Sequence, residues 1–298
     1  TYGWELQIGW RDQIGDFKYG AKLSLSDSQS KILRYGNPTG SLSKYVEGEL
    51  IGNIYGYTTI GIAKTDEEMQ QHLASLPNGG QSALGSQWAA GDIMYADLNG
   101  DGKINNGSYT INDMGDMKKI GNSTPRFMTG INLDAAYKGW DLQMFWQGVL
   151  KRDWWPGDKN MTFWGVTDGE WWSTSFKEHL DYFRTSENPL GENLNSYYPR
   201  PIFNTKNNKS QTRYLQNAAY MRLKNIQVGY TFPKVWINKL MLQNLRIFVS
   251  GENLLTITSL SDTMDPETCG AGYQSTEQAN GTVYPLAKTI SFGLSVNF

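Results

Sequence analysis

Alternation of apolar and polar residues is the strongest pattern in this sequence, and it is clearest at residues 289–298. Ile290, Phe292, Leu294, Val296 and Phe298 occupy every second position, and the residues between them are small and polar. Side chains along a strand point to opposite faces in turn, so this segment predicts a strand with one apolar face and one polar face. In a soluble domain it would be an exposed edge, which folded proteins usually protect.

The same alternation predicts six further strands, which pair into three hairpins. The seven predicted strands are residues 4–12, 17–26, 126–137, 140–150, 220–232, 245–255 and 289–298. Gly15-Asp16 and Lys138-Gly139 provide tight turns, and residues 233–244 provide a longer turn. Residues 222–225 lack clean alternation, which predicts either a bulge or burial against a neighbour. Most of these segments have about the 9–11 residues that a tilted strand needs to cross a bilayer.

Long connections join the hairpins at the opposite end of the predicted sheet. We call residues 27–125, 151–217 and 256–287 the first, second and third excursions; helices are expected at 66–75 and 175–183. Soluble domains rarely carry connections this long, whereas membrane barrels combine long loops at one end with short turns at the other. The sequence therefore predicts an all-β fold: about seven antiparallel strands of a large transmembrane β-barrel with long extracellular loops.

Composition narrows the function classes. The hydrophobic fraction is 39% and the mean hydropathy is −0.52, and no run of about 18 apolar residues exists, which excludes a helical membrane protein. The net charge of −2 gives no reason to expect nucleic acid as a partner. Cys269 is the only cysteine and is interpreted as an incidental loop thiol. His72 and His179 are far apart, and no nucleophile elbow or zinc spacing is present, so we expect no enzyme activity.

Four motifs, in this order, closely resemble the SusC/RagA family of TonB-dependent outer-membrane transporters. They are Ile51-Gly-Asn-Ile-Tyr-Gly-Tyr57, Tyr95-Ala-Asp-Leu-Asn-Gly-Asp-Gly-Lys-Ile104, Ile120-Gly-Asn-Ser-Thr-Pro-Arg-Phe127 with Gly139-Trp-Asp-Leu142, and Ala219-Tyr-Met-Arg-Leu-Lys-Asn-Ile-Gln-Val-Gly-Tyr230. The resemblance spans nearly the whole chain. It implies a plugged barrel of about 22 strands in the bacterial outer membrane, surrounded by lipid or lipopolysaccharide.

The resemblance also implies the partners. Residues 1–298 would be the carboxy-terminal portion of the barrel, and the amino-terminal strands, the plug and the TonB-contacting segment would lie outside this sequence. Seven strands do not complete a bacterial barrel, and Thr1 does not begin a signal peptide, which fits this expectation. A SusD-like surface lipoprotein would deliver oligosaccharide or peptide for TonB-dependent uptake. No cofactor is required by this function.

One loop has the first half of a calcium-binding sequence. Asp97, Asn99 and Asp101 supply side-chain oxygens at positions one, three and five, and Lys103 supplies a backbone carbonyl at position seven. Position twelve is Ser108 rather than glutamate, and Asp113 or Asp116 would replace it only if the loop folded back. The alternative is a turn whose side chains bond to its own backbone.

Two further sets of side chains are candidates for binding. The tryptophans of the second excursion would either stack on sugar rings or pack the loop and the lipoprotein interface: Trp154, Trp155, Trp164, Trp171 and Trp172. The polar faces of the strands would line the space around a plug, and their side chains would either form ladders across the wall and salt bridges to the plug or contact the substrate: Glu5, Gln7, Arg11, Lys18, Lys22, Asn132, Asp134, Gln143, Gln147, Arg246 and Glu252.

A rival interpretation is a secreted, soluble β-sandwich that binds carbohydrate or mediates adhesion. Alternating strands and an aspartate-rich loop suit that class as well. Sandwich strands usually are shorter, with a turn about every 8–12 residues, so the strand length favours the transporter.

Overall fold

A long hairpin opens the chain. The computed structural model describes residues 1–169, 173–269 and 286–298. β1 (Tyr2–Ile14) and β2 (Phe17–Gln29) are antiparallel, and Ile14 pairs with Phe17 across the predicted turn. Each strand has 13 residues, more than the alternation alone indicated.

The first excursion folds into short elements. In chain order they are β3 (Asn53–Tyr57), β4 (Thr59–Ile62), α1 (Asp66–Ala74), β5 (Ile93–Tyr95) and β6 (Met117–Asn122). β3 pairs with β6, and β4 pairs with β5. The helix predicted at 66–75 is confirmed, since Thr65 caps α1 by accepting a hydrogen bond from the Glu68 N–H at 3.1 Å.

The second hairpin and the second excursion follow. β7 (Arg126–Tyr137) and β8 (Trp140–Lys151) form the hairpin. The excursion contains β9 (Asp153–Trp154), α2 (Met161–Trp164), the 3₁₀ helices Lys177–Leu180 and Lys206–Asn208, and β10 (Gln216–Asn217). β9 pairs with β10.

The helix predicted at 175–183 is wrong in type and length. Only the 3₁₀ helix Lys177–Leu180 forms. Beyond it the chain becomes extended, because the Phe183 N–H donates to the Tyr198 carbonyl at 3.1 Å and the Tyr198 N–H donates to the Asp181 carbonyl at 2.9 Å. Pairing with a distant segment therefore replaces the helical hydrogen bonds.

The remaining long strands complete the main sheet. They are β11 (Tyr220–Thr231), β12 (Asn244–Thr258) and β13 (Thr289–Asn297), and α3 (Lys234–Ile237) with the 3₁₀ helix Asn238–Leu240 joins the first two. The strand order is β1-β2-β7-β8-β11-β12-β13, and every neighbouring pair is antiparallel. The expected bulge is confirmed as a register shift between Leu223 and Asn225. The all-β prediction is thus confirmed.

The backbone register places the apolar faces of all seven strands on one side of the sheet and their polar faces on the other side. One apolar row passes through directly paired positions Trp10, Ala21, Leu133, Met144, Ile226, Gly251 and Ile290. The next row lies on the opposite face and passes through Arg11, Gly20, Asp134, Gln143, Gln227, Ser250 and Ser291. Directly paired residues share a face of the sheet, so one face is apolar and the other polar over its whole width.

The hydrophobic core lies in the excursions and not on the apolar face of the sheet. Its buried members include Met69, Ile93, Tyr95, Trp164 and Tyr214. By contrast, apolar side chains of the sheet stay exposed, for example Ile8 at 56% and Phe292 at 81%. Within the described residues, no second large sheet covers this face, which does not fit a two-sheet sandwich. Among the same residues, no helix is long and apolar enough to cross a membrane.

Candidate functional site

The polar face of the sheet holds a concavity of about 760 Å³. Polar side chains from four strands line it: Arg11, Lys22, Asn132, Asp134 and Gln143. All five belong to the polar set that the alternation predicts. Phe145, the exception in that pattern, lies on the same face because it pairs with Asn132 and Asn225. The concave surface can therefore hold a polar or charged body.

Ion pairs on this face join strands that are not neighbours. Arg246 on β12 reaches Asp141 on β8, with its Nε 3.0 Å from the carboxylate Oδ2. The two side chains meet above Gly229 of the intervening strand, where a Cβ atom would lie 2.4 Å from Arg246 Nη2 and 2.6 Å from Asp141 Oδ2. A glycine at this position therefore leaves the space that the ion pair occupies.

A second pair has the same arrangement near the first hairpin. Arg11 on β1 donates to Asp134 on β7 at 3.2 Å, and Gly20 of β2 lies between them in register. A Cβ at Gly20 would lie 2.6 Å from the Asp134 carboxylate. Arg11 is largely exposed, so this pair contributes little to stability in the described chain.

The third excursion is tied to the end of the sheet by buried charges. Arg222 on β11 donates from Nη2 to both carboxylate oxygens of Asp265 at 2.9 Å, and from Nη1 to Glu267 at 2.7 Å. Lys224 also contacts Glu267, at 3.0 Å. Burial opposes ionisation of Asp265, but the bonds from Arg222 and from the Glu267 N–H outweigh it and lower the pKa of Asp265. The segment around residue 265 is therefore held against the polar side of the sheet's end.

A buried charge cluster joins the first two excursions. Asp92 is fully buried and accepts from Arg200 Nε at 2.7 Å, from Asn207 at 2.9 Å and from the Ala89 N–H at 2.9 Å. The Lys206 ammonium lies 2.8 Å from the second carboxylate oxygen of Asp92. It also lies over the Trp88 ring, 4.6 Å from the ring centroid. Burial would raise the pKa of Asp92, yet these hydrogen bonds together lower it. The two loops therefore pack as one body.

This cluster was missed by the sequence analysis. Asp92 and Arg200 are 108 positions apart, and neither belongs to a periodic pattern. The broken alternation at residues 222–225 is a local signal for the other buried cluster, that of Arg222 and Lys224.

The described tryptophans of the second excursion pack against each other and their neighbours. Trp154 is 4% exposed and Trp164 is 6% exposed. The Trp164 ring lies 4.8 Å from Tyr214 and 6.0 Å from the partly buried Trp155. This arrangement accords with loop packing, and stacking on a ligand stays a prediction that would require the loop to open. Trp171 and Trp172 lie outside the described residues.

The aspartate-rich loop bonds to its own backbone. Asp97 accepts from the Gly100 N–H at 2.7 Å and from the Gly102 N–H at 2.9 Å. Asn99 Oδ1 accepts from the Asp101 N–H at 2.9 Å, and Asp101 Oδ1 accepts from the N–H of Lys103 at 3.1 Å. Although burial opposes them, the bonds from Gly102 and Gly100 lower the pKa of Asp97.

The loop also folds back, as a cation site would need. Asp116 is fully buried and accepts from the Leu98 N–H at 2.9 Å and from the Asn105 N–H at 2.7 Å. Burial, and to a lesser extent the neighbouring Asp97 carboxylate, raises the pKa of Asp116. In the described part of the chain, no group of three or more His, Cys, Asp or Glu side chains is placed to hold a metal. Calcium at Asp97 to Lys103 stays a prediction.

The two histidines lie in different excursions. His72 contacts Gln81 Oε1 at 3.0 Å. His179 accepts from the Phe176 N–H at Nδ1, at 2.8 Å, and its Nε2 lies 3.0 Å from the Phe163 carbonyl, which identifies Nε2 as the donor. Burial lowers the pKa of His179. Because both ring nitrogens are used in holding the loop, the geometry gives His179 a structural role.

A cavity of about 270 Å³ lies beside His179. Its walls include aromatic and proline side chains of the second excursion: Trp164, Phe176, Tyr182, Tyr198, Pro199 and Pro201. A pocket with this lining suits an apolar or aromatic group.

Comparisons with known proteins agree with this architecture. No protein-family model matches the chain. The TonB-dependent receptor P3 of Formosa agariphila is 30% identical over 318 residues, covering 99% of this chain and 28% of that protein. The TonB-dependent receptor P39 of the same organism is 24% identical, covering 99% of this chain and 30% of that protein. The chain thus spans less than a third of the curated relatives it matches.

Solved structures show the same fold. A chain in the structure of the RagAB peptide transporter superposes with a TM-score of 0.65 at 19% identity, covering 99% of this chain and 29% of that one. A chain of the RagAB peptide importer in the open-open state gives a TM-score of 0.59 at 17% identity, covering 99% of this chain and 28% of that one. Each likeness extends along nearly the entire chain.

Proposed function

We propose that this chain, which fits a fragment of a SusC/RagA-family TonB-dependent receptor, forms part of the wall and outer loops of an outer-membrane importer. One observation carries the proposal: the register aligns an apolar face, with exposed apolar side chains on each of the seven strands, opposite a polar, ion-paired face. Lipid would cover the apolar face, and the interior of a barrel would receive the polar face.

The two ends of the sheet suit the two sides of an outer membrane. All three excursions leave from one end, and the connections at the other end are two tight turns and the 232–243 segment. Long loops at the outer surface and short connections on the periplasmic side are usual for such barrels. The Asp92 cluster and the Arg222 contacts would then fasten the outer loops to each other and to the barrel rim.

The interior surface supports contact with a plug. The concavity on the polar face carries both charge signs, with Arg11 and Lys22 beside Asp134. Such a surface can form hydrogen bonds and ion pairs with a folded polar domain. The Arg11 side chain is mostly exposed and therefore accessible to such a domain. Plug movement driven by TonB would then open a path along this face.

The cargo and its delivery belong to the same proposal. We infer an oligomeric nutrient, oligosaccharide or peptide, handed over by a SusD-like lipoprotein that sits on the outer loops. Exposed apolar side chains on those loops supply contact area for a protein partner: Leu33, Phe176, Leu180, Leu190 and Phe203. The similar solved structures are those of a peptide transporter and a peptide importer.

Uptake by cells tests the proposal. A strain expressing the full receptor, and a matched strain lacking it, would each be given a fluorescent oligosaccharide pool and, separately, a labelled peptide pool. We expect receptor-dependent uptake of one pool, and its loss when a protonophore collapses the inner-membrane proton gradient. Recovery of the full receptor as a soluble protein without detergent, or uptake that persists without the gradient, would contradict the importer.

A further inference from the structure

The connection between β11 and β12 differs from the two other turns at its end of the sheet. Those turns have two residues each, Gly15-Asp16 and Lys138-Gly139. Residues 232–243 instead fold into α3 and a 3₁₀ helix. Ile237 is 2% exposed, so one side of this segment, which we call the helical turn, is buried. The other side faces outward.

That outer surface carries three large apolar side chains. Val235 is 77% exposed, Trp236 is 58% exposed and Met241 is 87% exposed. Met241 also has a positive φ of 56°, which is uncommon for a residue other than glycine. Three large apolar side chains exposed on so short a connection make it a candidate contact surface for an apolar neighbour.

An unbroken series of aromatic contacts connects the helical turn with the apolar face of the sheet. The rings of Trp236 and Phe232 are 6.3 Å apart, those of Phe232 and Tyr230 are 5.1 Å apart, and those of Tyr230 and Trp140 are 4.9 Å apart. Tyr230 shares its face with Val228, two residues earlier in the strand. Whatever covers the apolar face therefore continues onto Trp236.

The charge of the helical turn has one sign. Lys234 and Lys239 are exposed, and residues 232–243 contain no aspartate or glutamate. Lysines beside exposed tryptophan and aliphatic residues are typical of segments that lie in the headgroup region of a bilayer. Each lysine near an anionic lipid surface adds to the attraction.

We propose that the helical turn is a membrane-interface anchor. Val235, Trp236 and Met241 enter the boundary between headgroups and acyl chains of the periplasmic leaflet, and Lys234 and Lys239 contact the phosphates of anionic phospholipids. The anchor fixes the depth of β11 and β12 in the bilayer. This inference depends on the proposed function, because it requires the apolar face to lie in lipid.

Depth-dependent fluorescence quenching tests the anchor. The full receptor, with Cys269 and any other cysteine replaced by serine, would carry a bimane label at Val235→Cys in bilayers of phosphatidylcholine and phosphatidylglycerol. Matched labels at Asp16→Cys, on a two-residue turn, and at Phe292→Cys, on the apolar face, serve as controls. Bromines attached near the headgroup should quench the label at 235 several times more strongly than the label at 16, and bromines deeper in the chains should quench the label at 292.

The possible outcomes distinguish failure of the anchor from failure of the membrane-spanning sheet. Equal, weak quenching at 235 and 16 with strong quenching at 292 would overturn the anchor and leave the membrane-spanning sheet intact. Shielding of position 235 from both brominated lipid and aqueous iodide would mean that protein covers it, which also overturns the anchor. Absence of quenching at 292 would defeat the proposed function itself.

Changing the lipid composition tests whether the two lysines contact anionic headgroups. Removing phosphatidylglycerol should weaken quenching at 235, and the double variant Lys234→Gln with Lys239→Gln should lose this dependence. If quenching at 235 in the receptor with both lysines were the same with and without phosphatidylglycerol, the headgroup contacts would be refuted.

Discussion

Arg246 and Asp141 form an ion pair that spans the full width of a β-strand, with Arg246 Nε 3.0 Å from Asp141 Oδ2 above Gly229. Backbone ladders already join neighbouring strands, so this pair adds a connection between β8 and β12, which are next-nearest neighbours. The polar face is thus held in register from its own side.

Replacing Gly229 with alanine should break this connection. The new Cβ would fall within 2.6 Å of both charged groups, which would have to move apart. We expect a loss of about 1–2 kcal/mol, in the range of a partly exposed charged hydrogen bond. Urea titration of the full receptor in lipid vesicles measures the change.

Gly9→Ala provides the matched control. It adds the same methyl group to the same face, where the nearest atom, the Ala21 carbonyl oxygen, is 4.0 Å away. Equal destabilisation by the two variants would show that strand glycines matter for another reason than the ion pair.

Asp92→Asn should loosen the first two excursions from each other. The substitution keeps the side-chain shape but leaves the Lys206 ammonium, 3% exposed, without its carboxylate. Removing one partner of a buried ion pair costs about 3–5 kcal/mol. Hydrogen exchange should therefore speed up in both excursions, and Asp262→Asn, at an exposed carboxylate, should leave exchange unchanged. Faster exchange in only one excursion would contradict the single packed body.

The loop around His179 should lose stability as the pH falls. Burial lowers the pKa of His179 from 6.5, so below pH 6.5 the unfolded loop binds a proton that the folded loop resists. The stability is complete above that pH and decreases as the pH falls toward the lowered pKa. Protonation would also place a donor against the Phe176 N–H.

Protease resistance of residues 173–183 between pH 7.5 and 5 measures this effect. His179→Gln should remove the pH dependence, and His72→Gln should leave it in place. A dependence that survived His179→Gln would assign the titration to another group.

The aspartate-rich loop should keep its fold when calcium is removed. Both oxygens of Asp97 already accept backbone N–H groups, those of Gly100 and Gly102. Chelation with EGTA should leave hydrogen exchange of these two amides unchanged, whereas Asp97→Ala should accelerate it. Protection that rises with added calcium would instead establish the predicted cation site.

The sheet was predictable from sequence because its information is local. Period-two alternation located all seven strands, and the broken pattern near Leu223 marked the bulge. The predicted helix at 175–183 failed because Phe183 pairs with Tyr198, a contact that no local pattern contains. For the same reason, Asp92 found its partners only in the structure. The packing alternative for Trp154 and Trp164 was available from sequence, but their burial was not.

A nitroxide scan of β13 determines whether the apolar face of the sheet lies in lipid. In the full receptor, reconstituted in a bilayer, labels would be placed one at a time from residue 289 to residue 297, and their accessibility to oxygen and to a water-soluble nickel complex would be measured. We expect a period of two, with positions 290, 292, 294 and 296 accessible to oxygen and shielded from nickel, and with the intervening positions shielded from lipid. Nickel accessibility at 290, 292 and 294 equal to that of their neighbours would show that the apolar face of β13 does not lie in a bilayer.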